Sequence, residues 1–376
     1  MNIIFTRSNH VNPDPRVEKE IFALCKKGHK VSILAWDRDG RREGKSYKKI
    51  GEYLVSIKKC YVKSKYGSGI NNIFPLIIFQ FFLLFNLISK RKSYDVIHAA
   101  DFDTVLPALL MKFLFKKKVI YDIYDFYVDA FSVPEILKGV LKNIDFYVIG
   151  KVDAVILVNE SRVDQIKGAK PKKIYFIHNS PEDNFKKLLK NKERNEQLVV
   201  AYVGVLQKHR LLEEILEVFV ENNNYRFLVA GFGPLEKDFI KASENHDNIE
   251  YFGRVSYAEG LKISASADIL FATYDPRIPN HKYSSPNKLY EAMMLEKPII
   301  VCKNTGVDAL IEENEIGYVI DYSKGDFINA VNFFSKINDY YYNVMCDNSR
   351  ELYEKKFSWN LMEERLLNIY SEISEN

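Results

Sequence analysis

Short apolar runs rich in β-branched residues alternate with longer amphipathic segments along most of these 376 residues. That alternation commits the chain to βαβ units and parallel sheets. In the first half, strands are expected over residues 2–5, 31–35, 96–99, 119–121, 154–158 and 174–177. A second series follows over 199–203, 227–230, 249–252, 269–272, 299–301 and 318–320. Between the two series lies a polar stretch, 181–197, dense in Lys, Glu, Asp and Asn, which reads as a linker. The expected class is therefore α/β, with two doubly wound, Rossmann-like domains over 1–180 and 198–355. Ligands are expected in a central cleft between the C-terminal edges of their sheets.

The chain's net charge of +4 hides an asymmetry. Residues 1–180 hold 31 Lys+Arg against 18 Asp+Glu, a net of +13, and subtraction from the totals of 54 and 50 leaves 23 against 32, a net of −9. A basic first half is expected to face something anionic, a membrane surface or a phosphorylated substrate. Nucleic acid fits less well, because no DNA- or RNA-binding signature is present and the cations are dispersed among periodic apolar segments. Cys25, Cys60, Cys302 and Cys346 are scattered without metal-ligand spacing, and read as reduced packing residues of a cytoplasmic protein. No export signal precedes the first apolar run. Residues 73–88 are apolar except for Pro75, Gln80 and Asn86, and are followed by Lys90, Arg91 and Lys92. As a helix this segment spans roughly 24 Å, short of the ~30 Å hydrocarbon core. It is therefore either a buried domain helix or one lying in a membrane interface.

Three stretches of the second half carry candidate chemistry. The run 199–203 leads to Gly204 and then to Lys208, His209 and Arg210 before a helix near Leu211, an arrangement that lets a phosphate approach backbone and cations. The run 227–230 leads to Gly231, Phe232, Gly233 and Pro234. Lacking the third glycine and the acidic residue of a dinucleotide fingerprint, it excludes the NAD reading and suits a tight turn at a cleft edge, with Pro234 at a first helical position. In 281–293, Pro286 suits a helix start and Ser285 or Ser284 a cap, leaving N–H groups aimed at an anion. Lys288 and Glu291 share a helix face, so a diphosphate could meet Lys288 while Glu291 accepts from ribose hydroxyls. An ordinary i,i+3 salt bridge fits the same spacing.

Taken together, the motifs resemble the retaining GT-B glycosyltransferases of family 4 along nearly the whole chain. The resemblance rests on Asp14-Pro15-Arg16-Val17, Gly28-His29-Lys30-Val31, Tyr202-Val203-Gly204, 229–233, Phe252-Gly253-Arg254-Val255, Pro286-Asn287-Lys288-Leu289-Tyr290-Glu291 and Phe357-Ser358-Trp359. It implies an acceptor-binding first domain, a second domain holding a nucleotide-sugar donor, UDP-sugars first among them, and a helix in 356–376 packing back toward the first domain. No metal or other cofactor is implied. Glu291 would bind ribose, Lys288 and Arg210 the diphosphate, and the loop with Arg254 and Val255 would lie near the base. Gly204, Gly231, Gly233, Ser285, Pro286 and Asn287 would complete the donor site. The loop from Asn9 and His10 to Arg16 would close over the sugar phosphate, with His98 and Tyr124 also on the acceptor or sugar-phosphate side, while Asp101 and Asp125 would lie at strand ends lining the cleft.

Two positions depart from the family. The first of its usual two glutamates would fall at Tyr283, and a histidine of the first domain would fall at Tyr124. Either the donor sugar differs, or His281, His98 or Asp125 fills the role, or turnover is lost. The expectation is thus a metal-independent sugar transferase, with Arg210, Lys288 and Asp125 as catalytic residues, acting on a glycan or lipid-linked acceptor in cell-surface polysaccharide or glycolipid synthesis. It would sit peripherally at the cytoplasmic face of a membrane. A nucleotide-sugar epimerase of the same fold and a silent donor-binding subunit are the alternatives.

Overall fold

The computed structural model describes residues 1–40, 46–64, 72–131, 133–184 and 194–375, and the chain divides into two compact units. The first is Met1–His178 together with Met362–Asn376, and the second is Asn179–Leu361. Of the polar stretch 181–197, residues 185–193 lie outside the described residues.

The first unit runs β1 (Asn2–Arg7), α1 (Pro15–Lys26), β2 (Lys30–Trp36), β3 (Tyr47–Ile50), β4 (Tyr53–Cys60), α2 (Ile73–Ser89), β5 (Val96–Ala100), α3 (Phe102–Phe115), β6 (Lys118–Ile123), α4 (Tyr127–Ala130), α5 (Glu135–Ile149), β7 (Ala154–Leu157), α6 (Arg162–Gln165) and β8 (Ile174–Phe176). Its eight strands lie in the order β3-β4-β2-β1-β5-β6-β7-β8 and are parallel except for β3. All six strands expected in this half are present. The β3-β4 hairpin is not among the expected strands, because its short polar-apolar alternation lacks a solid apolar run. Its turn has a local signal nonetheless, since Gly51 takes φ 56° at the first central position of a two-residue loop.

The second unit runs β9 (Val199–Val205), α7 (Leu212–Glu221), β10 (Arg226–Phe232), α8 (Glu236–Asn245), β11 (Ile249–Tyr251), α9 (Tyr257–Ser266), β12 (Ile269–Ala272), α10 (Asn287–Met294), β13 (Ile299–Cys302), α11 (Asp308–Glu313), β14 (Gly317–Ile320), α12 (Lys324–Lys336) and α13 (Asp339–Leu352). Its parallel sheet has the order β11-β10-β9-β12-β13-β14. The final helix, α14 (Trp359–Glu375), lies mostly in the first unit, where Met362, Leu366, Ile369 and Tyr370 are fully buried.

Both sheets are buried on their two faces, which explains why their strands read as continuous apolar runs rather than alternating ones. Val96–Ala100 and Ala154–Leu157 are buried at every position. In each unit strand order reverses beside the first strand, between β1 and β5 and between β9 and β12. Outside the carboxyl ends of such strand pairs the connections diverge and leave a crevice.

Candidate functional site

The crevice of the second unit is built around two cations. At Gly204, near the end of β9, an added Cβ would lie 2.5 Å from Lys288 Nζ and 3.1 Å from its Cε, so the missing side chain makes room for the lysine. Lys288, in the first turn of α10, holds its ammonium 4.5 Å from the centre of the Tyr202 ring. Arg210, in the loop after β9, donates from Nη1 to the Tyr202 hydroxyl at 3.1 Å and lies 5.1 Å from the centre of the Tyr274 ring. Thr273 fixes that loop by donating Oγ1 to the Arg210 carbonyl at 2.6 Å.

No carboxylate among the described residues is in ion-pairing contact with Lys288 or Arg210; Glu291 acts on Lys288 only at longer range. Burial, joined by the charge of Arg210, holds the Lys288 ammonium below the ordinary lysine range. Two half-buried cations over one tyrosine, without an acidic partner, form a site that an anion would complete. Replacing Gly204 with alanine should push Lys288 aside and lower affinity for inorganic pyrophosphate by about tenfold, read by titration calorimetry. An unchanged affinity would show that the ammonium does not contact the anion.

The start of α10 differs from the sequence expectation. Pro286 is itself the N-cap, helical residues begin at Asn287, and no side chain caps the helix. Ser284 instead donates to the Thr305 carbonyl at 2.8 Å, and Ser285 pairs with the Tyr290 hydroxyl at 2.8 Å. Asn179 also donates to the Ser285 carbonyl at 3.0 Å. These bonds pin the loop while the uncapped first turn leaves its N–H groups available, with the helix dipole positive at that end. Pro234 likewise sits before α8 rather than at its first helical position, with Leu235 as the N-cap.

One turn along α10, Glu291 is buried near the Tyr257 phenol, whose pKa is raised by burial and then by that carboxylate. The i,i+3 salt bridge with Lys288 is not formed. Gly231 and Gly233 serve backbone packing: a Cβ at Gly231 would fall 1.8 Å from the Gly204 carbonyl oxygen, and one at Gly233 2.3 Å from that of Leu206. Arg254 stacks over Phe232 at 4.5 Å on an exposed edge, with Val255 half-buried after it. Tyr283 ends a short 3-10 turn, Pro279–Tyr283. Beside it, burial lowers the pKa of His281, whose ring meets Tyr274 edge-on at 5.1 Å. Asp275 is held at about 2, chiefly by the Arg277 side chain that forks onto it at 2.8 and 2.7 Å.

The crevice of the first unit is dominated by internal ion pairs. Arg7, closing β1, pairs with Asp101 and, at 2.9 Å, with Asp14. Asn9 donates to Asp14 at 2.7 Å and accepts from the Val11 N–H at 2.7 Å, while His10 Nε2 lies 2.6 Å from the Asn12 carbonyl. Arg16 is buried, with its Nη2 3.0 Å from Asp122 Oδ1 and its Nη1 donating to the Ile177 carbonyl at 2.6 Å. The Tyr124 ring lies under both guanidiniums, 4.3 Å from Arg7 and 4.8 Å from Arg16. Asp101 accepts from the Tyr124 N–H at 3.0 Å, and burial pushes its pKa up to about 6 against the pull of Arg7. Asp125 pairs with Arg162 at 3.0 Å.

His98 has no exposed surface. It stacks on Phe5 at 4.2 Å, with Nδ1 2.8 Å from the Tyr370 hydroxyl and Nε2 3.4 Å from Asp122. His98, expected on the acceptor or sugar-phosphate side, is instead a fully buried core histidine between Tyr370 and Asp122. Glu20, His98 and Asp122 bring possible ligand atoms within 4.8 Å of one another, but Arg16 already occupies Asp122 and Tyr370 the second ring nitrogen.

Motif reading missed Tyr274, Tyr257 and Arg7, and gave Tyr202 a place in a motif but no role. Arg7 had a signal, a charge ending an apolar strand. The tyrosines had none, since an aromatic in a buried strand or loop reads as packing.

Residues 170–351 match the family model described as Glycosyl transferases group 1. Similar curated proteins include the capsular polysaccharide biosynthesis glycosyltransferase CapM of Staphylococcus aureus, 25% identical over 54% of this chain and 52% of that protein. Another is spore coat protein SA of Bacillus subtilis (strain 168), 25% identical over 46% of this chain and 48% of that protein. The chain thus spans about half the length of the curated relatives it matches. Among solved structures, sucrose-phosphate synthase from Thermosynechococcus elongatus has a TM-score of 0.79 at 13% identity, covering all of both chains. Anabaena HepE in complex with UDP has a TM-score of 0.71 at 13% identity, covering 99% of this chain and 100% of that one. These likenesses show the fold, α/β with parallel sheets as in the GT-B structures.

Proposed function

We propose that the chain, whose residues 170–351 match the family model described as Glycosyl transferases group 1, transfers a sugar from a nucleoside-diphosphate donor to a glycan or lipid-linked acceptor. The pair of cations without an acidic partner, Lys288 and Arg210 about Tyr202, carries this reading. In it the diphosphate lies against Gly204, Lys288, Arg210 and the uncapped start of α10. The Glu291 carboxylate takes the ribose hydroxyls in exchange for, or beside, the Tyr257 phenol. Arg254, with Phe232, flanks the base. Departure of the sugar leaves its bonding electron pair, and so one further negative charge, on the β-phosphate oxygen, and prepositioned cations with a helix N-terminus stabilise that charge without a divalent ion. The reading is a retaining transfer with Asp125 and the Arg7-Asp101 network on the acceptor side.

UDP is the first donor nucleotide to test, given that HepE was solved with UDP and with UDP-glucose. Polysaccharide synthesis is the favoured setting, in keeping with the description of CapM. The favoured location is peripheral, at the cytoplasmic face of a membrane. Tyr124, clamped between two arginines where the resembling enzymes carry a histidine, gives a second reading, a donor-binding subunit that does not turn over. Turnover of a sugar nucleotide with a lipid-linked acceptor decides between them.

Titration calorimetry with UDP tests the site itself. Since burial lowers the Lys288 pKa, the protonated form that an anion needs is lost below the ordinary lysine value. UDP affinity should therefore fall as pH rises toward about 10, and Lys288→Arg should flatten that dependence. Equal slopes in both proteins would remove Lys288 from the diphosphate contact.

A further inference from the structure

The first unit carries an apolar face that the donor chemistry does not use. On α2, Phe79, Leu83 and Leu87 enter the core, while Phe74, Ile77, Phe81 and Phe85 point outward at spacings of three and four residues. Those outward residues form one helical stripe. Helix α5 repeats the pattern: Val148 and Ile149 are buried, while Ile136, Val140, Ile144 and Tyr147 are exposed, Ile136 by 91%. Between them α3 exposes Phe113 and Leu114. The three helices are neighbours, α3 touching both α2 and α5.

The sequence left 73–88 open between a buried helix and an interfacial one. The structure gives the segment both faces, since one side of α2 is core and the other is exposed. Among the described residues no helix is long and apolar enough to cross a membrane.

The charge around this face is mostly positive, with Asp153 paired to Lys112 and Asp95 bonded by the Asn2 N–H. Helix α2 itself holds no charged residue. Because β4, β5, β6 and β7 are parallel to one another through the sheet, α2, α3 and α5 must each run back against the strands, and their C-termini gather at one end. There lie Lys90, Arg91 and Lys92 after α2, Lys116, Lys117 and Lys118 after α3, and Lys151 after α5. Arg91 lies 5.5 Å from the centre of the Phe115 ring, which ties the cationic ends of α2 and α3 together. Lys138 and Lys142 continue the basic rim along α5, where Asp145 is buried and Glu135 is paired with Lys138.

An aromatic and aliphatic face bounded by lysine and arginine matches one partner in both chemistries, an anionic lipid bilayer: apolar side chains enter the acyl boundary while cations meet the headgroups. We propose that the α2-α3-α5 face of the first unit docks on anionic membrane. This deepens the lipid-linked acceptor reading given above, yet it stands on a different surface, so the two can fail separately.

The full chain should co-sediment with phosphatidylcholine vesicles containing phosphatidylglycerol and only weakly with phosphatidylcholine alone. Phe81→Ser with Phe85→Ser should lower partitioning by about tenfold or more, as should Ile136→Ser with Val140→Ser. A third variant, Lys92→Glu with Lys116→Glu and Lys142→Glu, should lose the preference for anionic vesicles while keeping its thermal midpoint and its UDP affinity. Wild-type partitioning that ignores lipid charge, variants that bind vesicles like the wild type, or a dimer in solution that these substitutions dissociate would each overturn the proposal, the last by assigning the face to a second copy. Vesicle binding that follows this pattern in a protein without UDP affinity would leave the membrane face standing and remove the donor reading.

Discussion

Replacing Lys288 with alanine should weaken UDP binding on the order of 100-fold, measured by titration calorimetry at neutral pH. Truncating one partner of a half-buried charge contact costs about 2–5 kcal/mol, and each ~1.4 kcal/mol is tenfold. The loss should be larger than for an exposed lysine such as Lys208, because Lys288 sits in a slot that Gly204 leaves empty, over the Tyr202 ring. It also has no carboxylate to release. Without ligand the variant should be at least as heat-stable as the parent, since burial disfavours the ammonium. A protein whose thermal midpoint falls while its UDP affinity stays constant would show the lysine to be structural.

Arg210→Ala should act elsewhere on the reaction coordinate. Its guanidinium is held by the Tyr202 hydroxyl and the Tyr274 ring. In the proposed reaction it is thus prepositioned for charge that grows as the glycosidic bond to the diphosphate breaks. Removal should lower kcat about 10²- to 10³-fold with a smaller effect on UDP affinity. Arg210→Lys should recover little, because an ammonium cannot keep both contacts. A defect confined to acceptor KM would contradict the assignment.

These two residues illustrate how much of the site was legible in the sequence. Lys288 and Arg210 could be singled out because a glycine at a strand end and a helix-initiating proline bracket them. Sequence spacing left Lys288 between an anion and Glu291, and tertiary packing decides against the ion pair, since the ammonium lies in the slot at Gly204 while Glu291 lies near the Tyr257 phenol. Ser285 had the right chemistry for a cap, yet Tyr290 and the pinned loop claim it instead. A local motif cannot foresee a competitor elsewhere in the fold.

The parallel strands were legible for a plain reason: burial on both faces leaves an apolar run whatever the register. Strand β3 pairs antiparallel at a sheet edge, and its Lys48 and Lys49 masked it. In the first unit, the residues at strand ends were found but not their partnering. Arg16 and His98 are drawn inward by Glu20, one turn along α1 from Arg16, and by Asp122 and Tyr370, and the meeting of these groups depends on α1, β5, β6 and the last helix.

That last helix has a consequence for synthesis. The first unit is discontinuous, and Tyr370, which bonds His98 in its core, is made after the whole of Asn179–Leu361. Domains commonly fold in the order in which they leave the ribosome. Here the second unit can finish first, while the first waits with its His98-Asp122 layer unsealed. The second unit, with its Lys288-Arg210 crevice, is thus ready before its elder neighbour is complete, and nascent chains arrested before residue 362 should need protection that full-length chains do not.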